Sequence, residues 1–148
     1  MGRFETAGRK FIEAFNRHDA DATAKLYAND CVVHDPLYPE PLVGRNAVKE
    51  DNANFFRAFP DIRFEIVEIL DRGDVGSAEM KMTGTNTGPL TTPMGEIPPT
   101  GKRIELWGAV YARLGAQDLV VEERRYYDTA SFMRALGVTP EPQVAATH

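Results

Sequence analysis

Residues 120–137, VVEERRYYDTASFMRALG, place two arginines side by side where a strand pattern gives way to a helical one. Successive strand side chains point to opposite faces of a sheet, so one of Arg124 and Arg125 faces outward and the other points into whatever the sheet encloses. An inward guanidinium stays protonated at any ordinary pH, and left unpaired it would cost several kcal/mol or more. Other chemically capable side chains are sparse. His18, His34 and His148 are too scattered to suggest a zinc site, and neither HExxH nor a paired-cysteine spacing occurs. His18 falls in a turn between two helical segments and is expected at the surface. Cys31, the single cysteine, sits in the apolar run CVVHD and reads as a small buried hydrophobe rather than a nucleophile. No GxxxxGK phosphate loop occurs, and the RGD at Arg72 to Asp74 reads as a hairpin turn.

The elements that must position the arginines change period midway along the chain. Phe4, Ala7, Phe11, Ile12 and Phe15 share one helical face. Asp19 can cap a second short helix, ADATAKLYAND, with Ala22, Leu26 and Tyr27 packing on the first. CVVHDP then reads as a short strand stopped by Pro36, and LYPEPLVG as a loop. A third helix is expected from an Asn46 cap to Phe59, with Val48, Phe55, Phe56 and Phe59 apolar and Pro60 ending it. From Asp61 the period is two: IRFEIVEIL, the turn DRGD, VGSAEMKMTGTNT, a loop GPLTTPMGEIPPTGK, RIELWGAVYARL, the turn GAQD, and LVVEERRYYD. A last helix runs from Thr129 to Leu136, with Gly137 as its stop. Helices followed by antiparallel strands indicate an α+β fold, with helices on one face of a curved sheet. Residues 1–137 read as one domain and 138–148, with two prolines and few anchors, as a flexible tail.

Composition narrows the partners. The 148 residues are 43% hydrophobic and 26% charged, ordinary for a soluble domain, and no apolar run is long enough to span a bilayer. The charged N-terminus is unlike a secretory signal, so a cytoplasmic location is expected. A net charge of −5 without a cluster of lysine and arginine argues against nucleic acid, leaving a small molecule or another protein as the partner.

Three segments, FIEAFNRHDADATAKLYANDCVVHDP, IPPTGKRIEL and VVEERRYYDTASFMRALG, resemble the SnoaL-like polyketide cyclases, also called ester cyclase-like proteins, of the nuclear transport factor 2-like, ketosteroid isomerase-like superfamily. The resemblance extends from Arg3 to Gly137. It implies a cone: a curved mixed or antiparallel sheet wrapped around the N-terminal helices, a deep pocket between them, and often a second subunit on the outer sheet face. The strand LWGAVYA fits both surfaces. Leu106, Gly108, Val110 and Ala112 form a small apolar row that leaves room behind it, while Trp107, Ala109, Tyr111 and Arg113 form a row suited to a homodimer interface. Ordinary packing remains the alternative for Trp107 and Tyr111.

The resemblance also assigns site residues. The family's acid–base aspartate lies three residues before the position of Asp128, which here is Arg125, so the aldol mechanism does not carry over. It makes Arg125 the inward arginine, with Glu123 and Tyr127 as strand-mates on its face. Arg125 and Glu123 then form a polar floor that could hold a substrate carboxylate or enolate, or else an internal salt bridge with no ligand. Asp35, before Pro36, matches the proton-moving aspartate of the ketosteroid isomerases; burial beside an apolar pocket would suit it to abstract a proton next to a carbonyl. A turn-capping role is the alternative. The isomerase oxyanion donors fall at Phe11 and Val110, which cannot donate, so steroid isomerisation is not expected. Phe11, Phe55, Phe59, Met82, Gly108, Val110 and Tyr127 are the expected pocket lining. The implied function is binding of a hydrophobic carbonyl compound, with cyclase- or isomerase-type proton transfer and neither metal nor organic cofactor. A non-catalytic binding or association module of the same fold is the alternative.

Overall fold

A computed structural model of the chain describes residues 1–138. Helix α1 (Arg3–Asn16) buries Phe4, Ala14 and Phe15 along one face. The short α2 (Ala20–Ala24) starts at Asp19, whose side chain accepts a hydrogen bond from the Ala22 amide at 3.0 Å. The expected second helix stops there, because Tyr27 already belongs to strand β1 (Tyr27–His34). Tyr27, Cys31 and Val33 of β1 are buried in the core. A register shift between Tyr27 and Val32 breaks the simple alternation that would have marked this strand.

Within the proline-rich stretch read as a loop, β2 (Leu42–Val43) pairs with the end of β1. Helix α3 (Arg45–Ala58) follows, but its cap is Gly44, at φ +91°, rather than Asn46. That left-handed backbone favours glycine, and it lets the Gly44 amide reach the Cys31 carbonyl at 2.8 Å. Strands β3 (Arg63–Asp71), β4 (Val75–Thr85), β7 (Arg103–Leu114) and β8 (Val120–Tyr126) then build an antiparallel run, with a 3-10 turn at Ala116–Asp118. The stretch expected as a loop between β4 and β7 contains a hairpin, β5 (Leu90–Thr92) and β6 (Gly95–Ile97). Its anchor is tertiary. The Asn54 amide of α3 pairs with the Thr91 backbone in both directions, at 2.9 and 3.0 Å, as a neighbouring strand would.

Six strands form one sheet in the order β2-β1-β8-β7-β4-β3, in which only β1 and β8 are parallel. Helix α4 (Thr129–Leu136) begins at an Asp128 cap and ends at Gly137, φ +78°, as expected. Val138 donates to the Met133 carbonyl and completes that stop. Residues 139–148, most of the segment read as a tail, lie outside the described residues. Among the described residues no helix is long and apolar enough to cross a membrane. The architecture is the α+β cone expected: α1 and α3 cover one face of the sheet, and the other face is left open.

Candidate functional site

Strand β8 settles which arginine is which. Arg124 is exposed and ion-paired to Glu122 at 2.9 Å on the outer face. Arg125 points inward opposite Val110 of β7, and only 14% of its side chain is accessible. Its Nε donates to Glu123 Oε2 at 2.6 Å, and its Nη1 donates to Asp35 Oδ2 at 3.0 Å and Asp51 Oδ2 at 2.7 Å. One guanidinium therefore serves three carboxylates from three elements: β8, the turn after β1, and α3.

Each carboxylate also receives a tyrosine hydroxyl. Tyr27 donates to Glu123 Oε1 at 2.6 Å, Tyr38 to Asp51 Oδ1 at 2.6 Å, and Tyr127 to Asp35 Oδ1 at 2.5 Å. Asp35 further accepts the Leu37 amide at 2.9 Å, so the turn-capping role and the inward role coexist in one side chain. Among the described residues no buried side-chain polar atom lacks a partner. Burial alone would lower the Arg125 pKa, but Glu123 and Asp51, with Tyr27 and Asp35, outweigh it and hold the guanidinium charged beyond its ordinary range. The tyrosines are pushed up, chiefly by burial and next by the neighbouring carboxylate: Glu123 for Tyr27, Asp51 for Tyr38, Asp35 for Tyr127.

This cluster forms the polar end of a cavity of about 160 Å³ between the helices and the sheet. Phe11, Phe55, Met82, Gly108, Val110 and Tyr127 line it as expected. Gly108 matters by its lack of a side chain: a Cβ there would come within 2.8 Å of the Tyr126 carbonyl oxygen. Phe59 does not line the cavity. It is the C-cap of α3, at φ −130°, and is fully buried in a core cluster with Leu90, Ile62 and Phe132, of which the last two reach the cavity and Phe59 does not. His18 is also not free at the surface: its Nε2 lies 2.7 Å from the Ile62 carbonyl and its ring stacks on Phe56.

Asp51, Tyr27 and Tyr38 were not anticipated as site residues. For Asp51 a signal existed, since it lies three residues after Val48 and four before Phe55 on the buried stripe of α3, where a carboxylate needs a counter-charge. Tyr27 was hidden by its assignment to a helix, and Tyr38 lies in a segment without periodicity. The Nε and Nη1 donors of Arg125 are directed at the chain's own carboxylates, the internal salt bridge that was the alternative to a substrate clamp, while its Nη2 makes no hydrogen bond among the described residues. Among the described residues no set of three or more histidine, cysteine or acidic side chains is arranged to hold a metal ion. The three carboxylates converge on a guanidinium instead.

Comparison with known proteins agrees with this fold. A family model described as a SnoaL-like domain matches residues 8–123. Among solved structures, a candidate SnoaL-like polyketide cyclase from Jannaschia sp. superposes with a TM-score of 0.77 at 18% identity, covering 93% of this chain and 94% of that one. AclR from Streptomyces galilaeus gives 0.74 at 23% identity, covering 97% and 87%. An NTF2-like protein of unknown function from Burkholderia pseudomallei gives 0.75 at 17%, covering 92% and 98%. At these identities the likeness establishes the fold. No curated protein sequence matches the chain.

Proposed function

The chain belongs to the SnoaL-like domain family, and from that premise we propose that its cavity binds a compact hydrophobic carbonyl compound, on which Asp35 removes and returns a proton at the neighbouring carbon. The observation that carries this reading is the placement of the Asp35 carboxylate: at the cavity wall, 5% accessible, fixed between Arg125 and Tyr127. Arg125 and the Leu37 amide keep it aimed in a poorly hydrated site. When Asp35 takes up a proton it loses the charge that holds the Tyr127 hydroxyl. That hydroxyl then becomes available to donate to the carbonyl oxygen on which negative charge develops. The balance is simple: a C–H bond breaks, the proton goes to Asp35, and the electron pair moves onto the carbonyl oxygen until the proton is returned.

The test is deuterium incorporation from solvent into bound cyclohexanone, followed by NMR. Asp35→Asn should slow exchange at least about 100-fold, the usual contribution of a positioned base, while cyclohexanone still binds. Unaltered exchange would remove Asp35 from the mechanism. The second reading, a binding module without turnover, is favoured by the internal pairing of the cluster, in which no buried polar atom among the described residues lacks a partner, and by Arg125 at the family's aspartate position. It predicts binding with no exchange above the solvent rate in the wild type.

A homodimer through the outer sheet face is part of the proposal. Trp107 is 50% exposed there, with the Lys81 Nζ 5.9 Å from its ring, and Arg124 lies over the Tyr111 ring. Trp107→Glu should convert a dimer to monomer by sedimentation. A wild type that sediments as a monomer would leave these rings as ordinary surface packing.

A further inference from the structure

The charges bordering the cavity do not balance. Asp35, Asp51 and Glu123 face one cation, Arg125, and no other charged side chain is among the described residues that line the space. Three acidic side chains share one basic one, so two lack a cation of their own. Each of the three accepts a tyrosine hydroxyl and an arginine hydrogen.

Acceptor capacity remains. A carboxylate offers about four lone-pair sites. Asp51 and Glu123 each receive one tyrosine and one arginine hydrogen, so each can accept more from the cavity side. Their immediate surroundings are aromatic: Tyr27, Tyr127, Phe11 and Phe55 share the same walls. Ring faces attract cations and do not attract anions. The Tyr27, Tyr38 and Tyr127 hydroxyls are pushed up chiefly by burial and next by their carboxylate neighbours.

We propose that the natural occupant carries a protonated amine on a compact apolar body, the ammonium lying against Asp51 and Glu123 and the body against Phe11, Phe55 and Met82. A volume of about 160 Å³ suits a body on the order of one ring. This rests on reading the cavity as a ligand site, but not on the role given to Asp35. An ammonium beside a carbonyl would also offset the negative charge that develops as a proton leaves the intervening carbon.

The test is calorimetric titration of the full chain at neutral pH with three probes of one shape: cyclohexylamine, cyclohexanol and cyclohexanecarboxylate. The amine is expected to bind at least tenfold tighter than the alcohol, and the carboxylate weakest. Cyclohexanol should displace the amine in competition, which places both at one site. Asp51→Asn should shrink the ratio of amine to alcohol affinity several-fold. Equal affinity for amine and alcohol, or tighter binding of the carboxylate, overturns the charge assignment while the cavity stands. So does an amine that the alcohol cannot displace. Binding by none of the three overturns the cavity reading itself.

Discussion

Arg124 and Arg125 are neighbours of one residue type on one strand, yet they hold opposite positions in the structure. Arg124 stands on the outer sheet face, beside Glu122 and over the Tyr111 ring, in contact with water. Arg125 is enclosed by three carboxylates from separate elements. The difference teaches that the one-residue pleat of β8 decides whether a guanidinium decorates a surface or joins three elements of the fold. Removing the outer one deletes a solvated contact. Removing the inner one strands three buried negative charges.

The largest expected effect follows directly. Arg125→Met should lower stability by about 3–5 kcal/mol, the range for breaking a buried ion pair by deleting one partner, read from urea unfolding. Asp51→Asn placed in that background should restore part of the loss, because it removes one of the stranded charges. A coupling of about 0.5–3 kcal/mol in the double-mutant cycle is the expected range for groups in direct contact. Additive losses would mean that the two side chains do not share the cluster.

A smaller effect comes from the wall beside Arg125. Gly108→Ala should cost about 1–3 kcal/mol, because its Cβ meets the Tyr126 carbonyl across the β7–β8 ladder and the backbone must shift. It should also weaken cyclohexanol binding. Wild-type stability with unchanged binding would mean that β8 yields freely at this point.

Alkaline pH probes the same enclosure. The Tyr27 and Tyr127 hydroxyls have raised pKa values in the folded chain, so they stay protonated where free tyrosine ionises, near pH 10. Their contribution is fully present below that pH. Above it the unfolded chain binds fewer protons than the folded one, and stability falls as pH rises, toward about 1.4 kcal/mol per pH unit for each such group. Tyr127→Phe should remove one increment of that slope. Arg124→Met completes the series with no measurable change in the urea midpoint.

Legibility differed in the same way between the two faces of the molecule. Helix α4 was readable to the residue because its stop is local: Asp128 caps it and Gly137 takes the left-handed conformation that ends it. The two rows of β7 were readable at its ends, where buried and exposed residues alternate, but not from Gly108 to Tyr111, which are all half-buried; Ala109, expected in the outer row, lines the cavity with Gly108 and Val110. Strand β1 was misjudged where its bulge interrupts that alternation, and the β5–β6 hairpin where three-residue strands depend on the Asn54 side chain for their anchor. Within the site, Glu123 was legible as a strand-mate of Arg125, two residues away. Asp51 was not, since it lies 74 residues off in sequence and only tertiary folding brings the pair together. Phe59 shows the converse: its type fitted the cavity wall, but its place at the helix end turns it into the core.

The most direct measurement is the ¹⁵N NMR signal of the arginine Nε–H groups, compared between Arg124 and Arg125 in the unmodified chain. A 2.6 Å bond to a buried Glu123 carboxylate should give Arg125 a distinct resonance whose hydrogen exchanges with water far more slowly than that of Arg124. Equal, fast exchange at both positions would contradict the enclosed cluster, and with it the site built around it.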